Sequence, residues 1–286
     1  MSYGQVEGFF LDTCILLPHP LESMTKACSD FLEETSKQCM ISSSVKQEGL
    51  TLIQEAHDII IKHVHSKLNP YLEKEGVKEV SNRDGKVFAD FFAQQRDELR
   101  KLPSHQRSNV RNEMLGAVEN YVASQLHSLD DGEKMPINIF LPAIAAELAV
   151  QKHELEAPFK GMRPIEIQPS DSIYSAIAVG GVQNPDDVKH LNSNDIKHLA
   201  SAQEYQFRQN KWVIFVTTDA SEILNKEKDL EEMFLRCSRP EWAVDHQRDM
   251  TKRKPPLEYI YDIKNYTPKQ KRVVDAIEKT IGAKRR

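Results

Sequence analysis

Residues 212–219, Trp-Val-Ile-Phe-Val-Thr-Thr-Asp (WVIFVTTD), decide how the fold is read. Five consecutive apolar side chains, three of them β-branched, suit a strand covered on both faces. A strand with one wet face would alternate apolar with polar residues. Asp219 stands just beyond this run, after two threonines. Upstream, residues 194–207 have the pattern of a helix capped by Ser193 or Asn194. The other end of the chain repeats the arrangement, with a short apolar run at residues 8–11 (GFFL) ending in Asp12. In residues 21–37, Leu21, Met24, Cys28, Phe31 and Leu32 fall near helical spacing. Cys39-Met40-Ile41 suits a second strand. Ser44-Val45-Lys46-Gln47 has the pattern of a capping box that starts a helix. Apolar periodicity then continues through Leu50, Ile53, Ile60, Val64 and Leu68. Strand, helix, strand, helix in this order implies an α/β fold with a central, mostly parallel sheet flanked by helices.

The middle of the chain has another character. Residues 69–161 read as almost wholly helical, with one stripe at Phe88, Phe91, Phe92, Leu99 and Leu102 and another at Leu115, Val118, Val122, Leu126 and Leu129. Pro103, Asp130-Asp131-Gly132 and Pro136 mark breaks. A helical insertion, a hairpin or small bundle, is the simplest reading, and such stripes form core far more often than ligand sites. Strand signals return at residues 164–168 (PIEIQ), followed by short helical patterns at 171–179 and 185–190. The expected organisation is a sheet core in two parts, 1–68 and 162–240, an insertion at 69–161, and a tail at 241–286 holding one or two peripheral helices.

Composition narrows the class. Of 286 residues, 40 % are hydrophobic and 28 % charged, a balance that suits a folded, water-soluble chain. Nothing approaches the roughly 18 continuous apolar residues of a membrane helix, and residues 1–10 have no pattern of a secretion signal. Cys14, Cys28, Cys39 and Cys237 form no CxxC pair, which argues against a zinc knuckle or disulfide framework and fits a reduced, cytoplasmic setting. The net charge is −5, yet residues 248–286 hold 12 Lys+Arg against 5 Asp+Glu, so the tail is +7 and the remainder −12. A basic tail can steer a polyanion, though composition alone favours a solvated terminus.

Four acids stand at related places in this pattern. Asp12 and Asp219 follow strands, while Glu48 and Asp195 lie in the first turns of helices. In a parallel sheet the carboxyl ends of strands and the amino ends of the next helices share one edge, where ligands bind. Convergence of all four is therefore expected. Carboxylates so placed repel one another unless cations neutralise them, and Mg²⁺ or Mn²⁺ take such hard oxygen ligands. Two ions about 3.5–4 Å apart can activate water and stabilise the leaving oxygen of a phosphodiester. Taken singly, each acid is more often structural: acids favour first helical turns, and Asp is a common turn residue.

Together these segments resemble the PIN-domain nucleases. LDTCIL, with Asp12-Thr13, resembles the family's first motif, and SSSVKQE, with Glu48, its second. NDIKHLASAQ resembles the third, an Asp opening a helix with small residues further on, here Ala200, Ser201 and Ala202. WVIFVTTD resembles the fourth, an apolar strand before Thr-x-Asp. The likeness covers roughly residues 6–60 and 163–227. There are departures. Ser221 and Glu222 stand where many members have a second acid and an aromatic, which removes one candidate ligand. Asn210-Lys211 replaces a common turn glycine, and Glu48 and Asp195 are 147 positions apart where a compact linker is usual. The resemblance implies a PIN-like fold and a metal-dependent endoribonuclease that hydrolyses RNA with Mg²⁺ or Mn²⁺. Asp12, Asp195 and Asp219 would bind metal, Glu48 would bind metal or orient water, and Thr13 and Thr217 would support the acids by hydrogen bonds. A homodimer is also implied. The sequence does not separate RNA from DNA as substrate.

Other signals accompany these. Lys46, Lys189, His190, Lys197, His198 and Lys211 lie near the acidic motifs and read chiefly as surface charges, some within reach of phosphates. His63 and His65, two apart on a helix, do not share a face. Arg96, Arg100, Lys101, Arg107 and Arg111 form a basic patch that suits RNA or a salt-bridged surface equally. The alternative function is a PIN scaffold that binds RNA or a protein without cutting.

Overall fold

A computed structural model of the chain describes residues 6–19, 22–35, 39–102, 106–162, 164–167, 193–209, 212–219, 223 and 261–262. The short helices expected at 171–179 and 185–190, and the tail beyond Pro240 except 261–262, lie outside these residues. The chain divides into two compact units, Met1–Glu48 with Met162–Arg286, and Gly49–Gly161.

The first unit holds a sheet. Its strands are β1 (Val6–Leu11), β2 (Cys39–Ser42), β5 (Pro164–Ile165), β6 (Trp212–Thr217) and β7 (Tyr261–Asp262). They are ordered β5-β2-β1-β6-β7, and every pairing is parallel. The α/β reading with a parallel central sheet therefore holds. Two local expectations need correction. The strand at 164–168 is only two residues long, and part of the tail forms a strand beside β6 where a peripheral helix was expected. Its two residues are too few to show periodicity, and they are in register with Val216 and Thr217.

Helices α1 (Thr13–Leu16), α2 (Glu22–Thr35) and α8 (Ser193–Gln209) accompany this sheet, and α3 (Ser43–Ile60) starts directly from β2. Consecutive side chains of β1 serve opposite faces. The Phe9 ring meets Phe31 of α2 edge-on at 5.0 Å, and Phe10 meets Tyr205 of α8 at 6.3 Å. Covering both faces is why the end of the strand, residues 8–11, carries no polar side chain. Burying each such phenylalanine contributes roughly 1.5–3 kcal/mol. The start of α3 differs from the capping box expected at Ser44. The helix begins two residues after Ile41, and the Val45 N–H donates to Ser42 Oγ at 3.1 Å, so Ser42 is the cap.

The second unit continues α3 and adds α4 (Ser66–Lys74), α5 (Gly85–Arg100), α6 (Gln106–Ser128) and α7 (Ile137–Gly161). A small antiparallel pair, β3 (Glu79–Val80) and β4 (Met135–Pro136), joins two of its turns. Ala56, Ile60, Val64, Leu68 and Leu72 are all fully buried. A strict four-residue repeat drifts by about 40° per step on an ideal α-helix. The wider π-helical turn Ile61–His65 between α3 and α4 takes up part of that drift. Phe88, Phe91, Phe92, Phe140 and Phe159 fill the core, with Phe88 and Phe140 edge-on at 5.3 Å. Among the described residues no helix is long and apolar enough to cross a membrane.

Candidate metal centre

In the sheet, β1 lies between β2 and β6, and the strand order runs outward from it in both directions. The order reverses between β1 and β6, and the carboxyl ends of strands at such a reversal are the usual ligand position in open α/β sheets. The Asp12 N–H donates to the Val216 carbonyl at 3.0 Å and pins the end of β1 to β6 there. Asp12 then caps α1, its Oδ1 accepting the Thr13 N–H at 2.7 Å.

Asp12 is only 3 % exposed and is surrounded by donors. Oδ1 also accepts from His198 Nδ1 at 3.0 Å, and Oδ2 accepts from Thr217 Oγ1 at 2.7 Å and Cys14 Sγ at 3.2 Å. Burial works against the charged carboxylate. The hydrogen bonds from His198, Thr217 and Cys14 favour the charged form and hold Asp12 below the ordinary carboxylate value. The same surroundings act oppositely on Cys14. Burial, then the Asp12 charge, pushes its thiol well above the usual value, so it stays protonated and donates.

The other acids are placed as follows. Asp195, in the first turn of α8, is buried. Glu48 is half-buried; its Oε2 accepts from Thr13 Oγ1 at 2.5 Å and its Oε1 from Asn194 Nδ2 at 2.5 Å. Asp219 is half-buried two residues beyond β6, its N–H donating to Thr217 Oγ1 at 3.0 Å. Thr13 and Thr217 thus link acids in pairs, Thr13 bonding Glu48 and standing beside Asp12, and Thr217 joining Asp12 to the Asp219 backbone.

Asp12, Asp195 and His198 each offer one ligand atom within 4.8 Å of the others, all three buried, and this cluster could hold a metal ion. Glu48 and Asp219 are not in that set of three. His198 corrects the sequence reading. Read as a surface charge, it is 1 % exposed and its Nδ1 faces Asp12. The overlooked signal is spacing, since His198 follows Asp195 by three residues on α8 and so shares its inward face. The donor chemistry fits a divalent ion, with two carboxylates, an imidazole and further carboxylates at the rim. Of the nearby cations, Lys197 is exposed and Lys46 half-buried, while Lys189, His190 and Lys211 lie outside the described residues.

The chain matches no protein-family model, no curated protein and no solved structure. The chemistry of the centre therefore stands on its own residues. In the basic patch of the second unit, Arg96 pairs with Glu119, Arg100 with Asp97 at 3.4 Å, Arg111 is buried and Lys101 is exposed, while the Arg107 side chain lies outside the described residues.

Proposed function

We propose that this chain is a PIN-type endoribonuclease that hydrolyses RNA phosphodiester bonds at a divalent-cation centre, Mg²⁺ or Mn²⁺, in the crevice between β1 and β6. The observation that carries the reading is the buried set of Asp12, Asp195 and His198, with Glu48 and Asp219 beside it, at the carboxyl edge of a parallel sheet. A nonfunctional chain would gain little from burying two carboxylates together, because desolvation and mutual repulsion both oppose it.

The centre of Asp12, Asp195 and His198 would hold the ion, with Asp195 and His198 as ligands and Asp12 fixing the His198 ring. When bound, it would supply positive charge to the phosphate oxygens and make water easier to deprotonate. Around it the protein fixes geometry. Thr13 and Thr217 orient carboxylate oxygens, so little reorganisation is needed as charge develops. Glu48, held by Thr13 and Asn194, positions the attacking water and takes its proton at a carboxylate oxygen as the water oxygen bonds to phosphorus and the P–O bond to the leaving ribose oxygen breaks. Asp219, half-exposed at the rim, adds an acceptor where the substrate backbone enters.

Purified protein would be incubated with structured and single-stranded RNAs, with Mn²⁺, Mg²⁺ or EDTA, beside Asp12→Asn and Asp219→Asn. Metal-dependent cutting that both variants lose supports the proposal. No cutting, or equal cutting by the variants, sinks it and leaves a noncutting PIN scaffold that binds RNA or a protein as the account.

A further inference from the structure

One ring nitrogen of the centre is unaccounted for. His198 Nδ1 lies 3.0 Å from Asp12 Oδ1. A carboxylate can only accept, so Nδ1 carries the proton and Nε2 presents a bare lone pair. Nε2 is buried and has no hydrogen-bond partner among the described residues. Its near neighbour is Glu48 Oε2 at 3.4 Å. That oxygen already accepts from Thr13 Oγ1, while Glu48 Oε1 accepts from Asn194, so the carboxylate is arranged as an acceptor too.

Two electron-rich atoms therefore face each other in a buried place, an arrangement that costs free energy unless something positive joins them. A proton on Nε2 would give only a loose ion pair with Glu48, since 3.4 Å exceeds the 2.7–3.2 Å of a good N–H···O bond. A shared metal ion fits the spacing better. Two ligands each about 2.1 Å from one ion stand about 3.0–3.4 Å apart for angles between square and tetrahedral. A histidine whose other nitrogen is held by a carboxylate is also the usual form of a metal-binding imidazole.

We infer that His198 Nε2 is a direct ligand of the ion, with Glu48 Oε2 as its neighbour in the coordination shell, and that this mixed nitrogen–oxygen set selects Mn²⁺ over Mg²⁺. Imidazole suits first-row transition ions, whereas Mg²⁺ favours oxygen donors and holds its own waters. Asp12 serves His198 as a positioning residue through Oδ1. The inference rests on the proposed function only in placing a divalent ion at this centre.

The test is binding of Mn²⁺ alone to the full chain, read by electron paramagnetic resonance and electron spin-echo modulation, with Mg²⁺ as competitor. Bound Mn²⁺ should show coupling to a directly coordinated ¹⁴N, and displacing it should take at least about tenfold more Mg²⁺. His198→Gln should remove the nitrogen coupling and weaken Mn²⁺ binding by about tenfold to a hundredfold. Glu48→Gln should weaken binding while the coupling remains, which keeps the test decisive if the histidine variant fails to fold. Mn²⁺ bound without nitrogen coupling, coupling retained in His198→Gln, or no Mn²⁺ binding would overturn the inference. RNA cleavage in Mg²⁺ without a nitrogen ligand would sink this inference and leave the nuclease standing. A nitrogen-ligated Mn²⁺ without RNA cleavage would do the reverse.

Discussion

The two units differ in the polar side chains they bury. Among the described residues, nine of the buried polar or charged side chains belong to the sheet unit and only Gln95 and Arg111 to the helical unit. Both enclose aromatic rings, Phe9, Phe10 and Phe215 in the sheet unit and Phe88, Phe91, Phe92, Phe140 and Phe159 in the helical unit. Burying polar groups gains little stability and costs much when a partner is lost, whereas each buried phenylalanine stabilises directly. The contrast locates the chemistry in the first unit, and it can be tested by substitution.

The largest effect should come from Asp195→Asn. RNA cleavage in Mn²⁺ should fall by about a thousandfold or more, on the scale of losing a principal transition-state stabiliser, with the melting temperature little changed. Gel-based rates and a thermal melt check both halves. Phe140→Ala should do the opposite, costing about 3–5 kcal/mol in chemical denaturation. Its effect on cleavage under folding conditions should be small. Gly49→Ala comes next. An added Cβ would run into the Phe159 ring. That ring is buried and cannot simply swing away, so overpacking should destabilise by about 1–3 kcal/mol. Ser42→Ala removes the oxygen that accepts the Val45 N–H and should cost about 1 kcal/mol.

The smallest effect is pH-dependent. The Lys67 hydrogen bond, at 2.5 Å, holds Glu98 below the usual glutamate value. Its contribution is present above the unfolded pKa of about 4.3 and is lost as pH falls through the lower folded value. As a partly exposed pair it should amount to about 1 kcal/mol or less. Melting of Glu98→Gln against the unmodified chain at pH 7 and pH 3 should show a gap that closes in acid. A gap that widens in acid would contradict this sign.

Much of the fold was legible because burial leaves regular marks. The apolar end of β1, residues 8–11, was legible because α2 and α8 cover its opposite faces through Phe31 and Tyr205, and residues 212–216 of β6 form a similar run. The stripes of α5 and α6 were legible from helical spacing. Strand order was not, because parallel pairing depends on main-chain contacts that carry no side-chain pattern. The two-residue β7 and the π-helical turn escaped for the same reason. At the site, Asp12 and Asp219 were visible through their positions after strands and Asp195 through its first helical turn, whereas Glu48 falls one turn further into α3 than a first-turn acid. His198 was not, since a lone histidine among Lys189, His190 and Lys197 looks like surface charge until its face of α8 is known.

The central claim is that the buried polar groups of the sheet unit form a divalent-cation site. Calorimetric titration of Mn²⁺ into the full chain and into Asp195→Asn tests it most directly. The account predicts saturable binding to the unmodified chain that is abolished, or weakened by about a hundredfold, in a variant that still melts cooperatively. Equal binding by both proteins, or none by either, would contradict it.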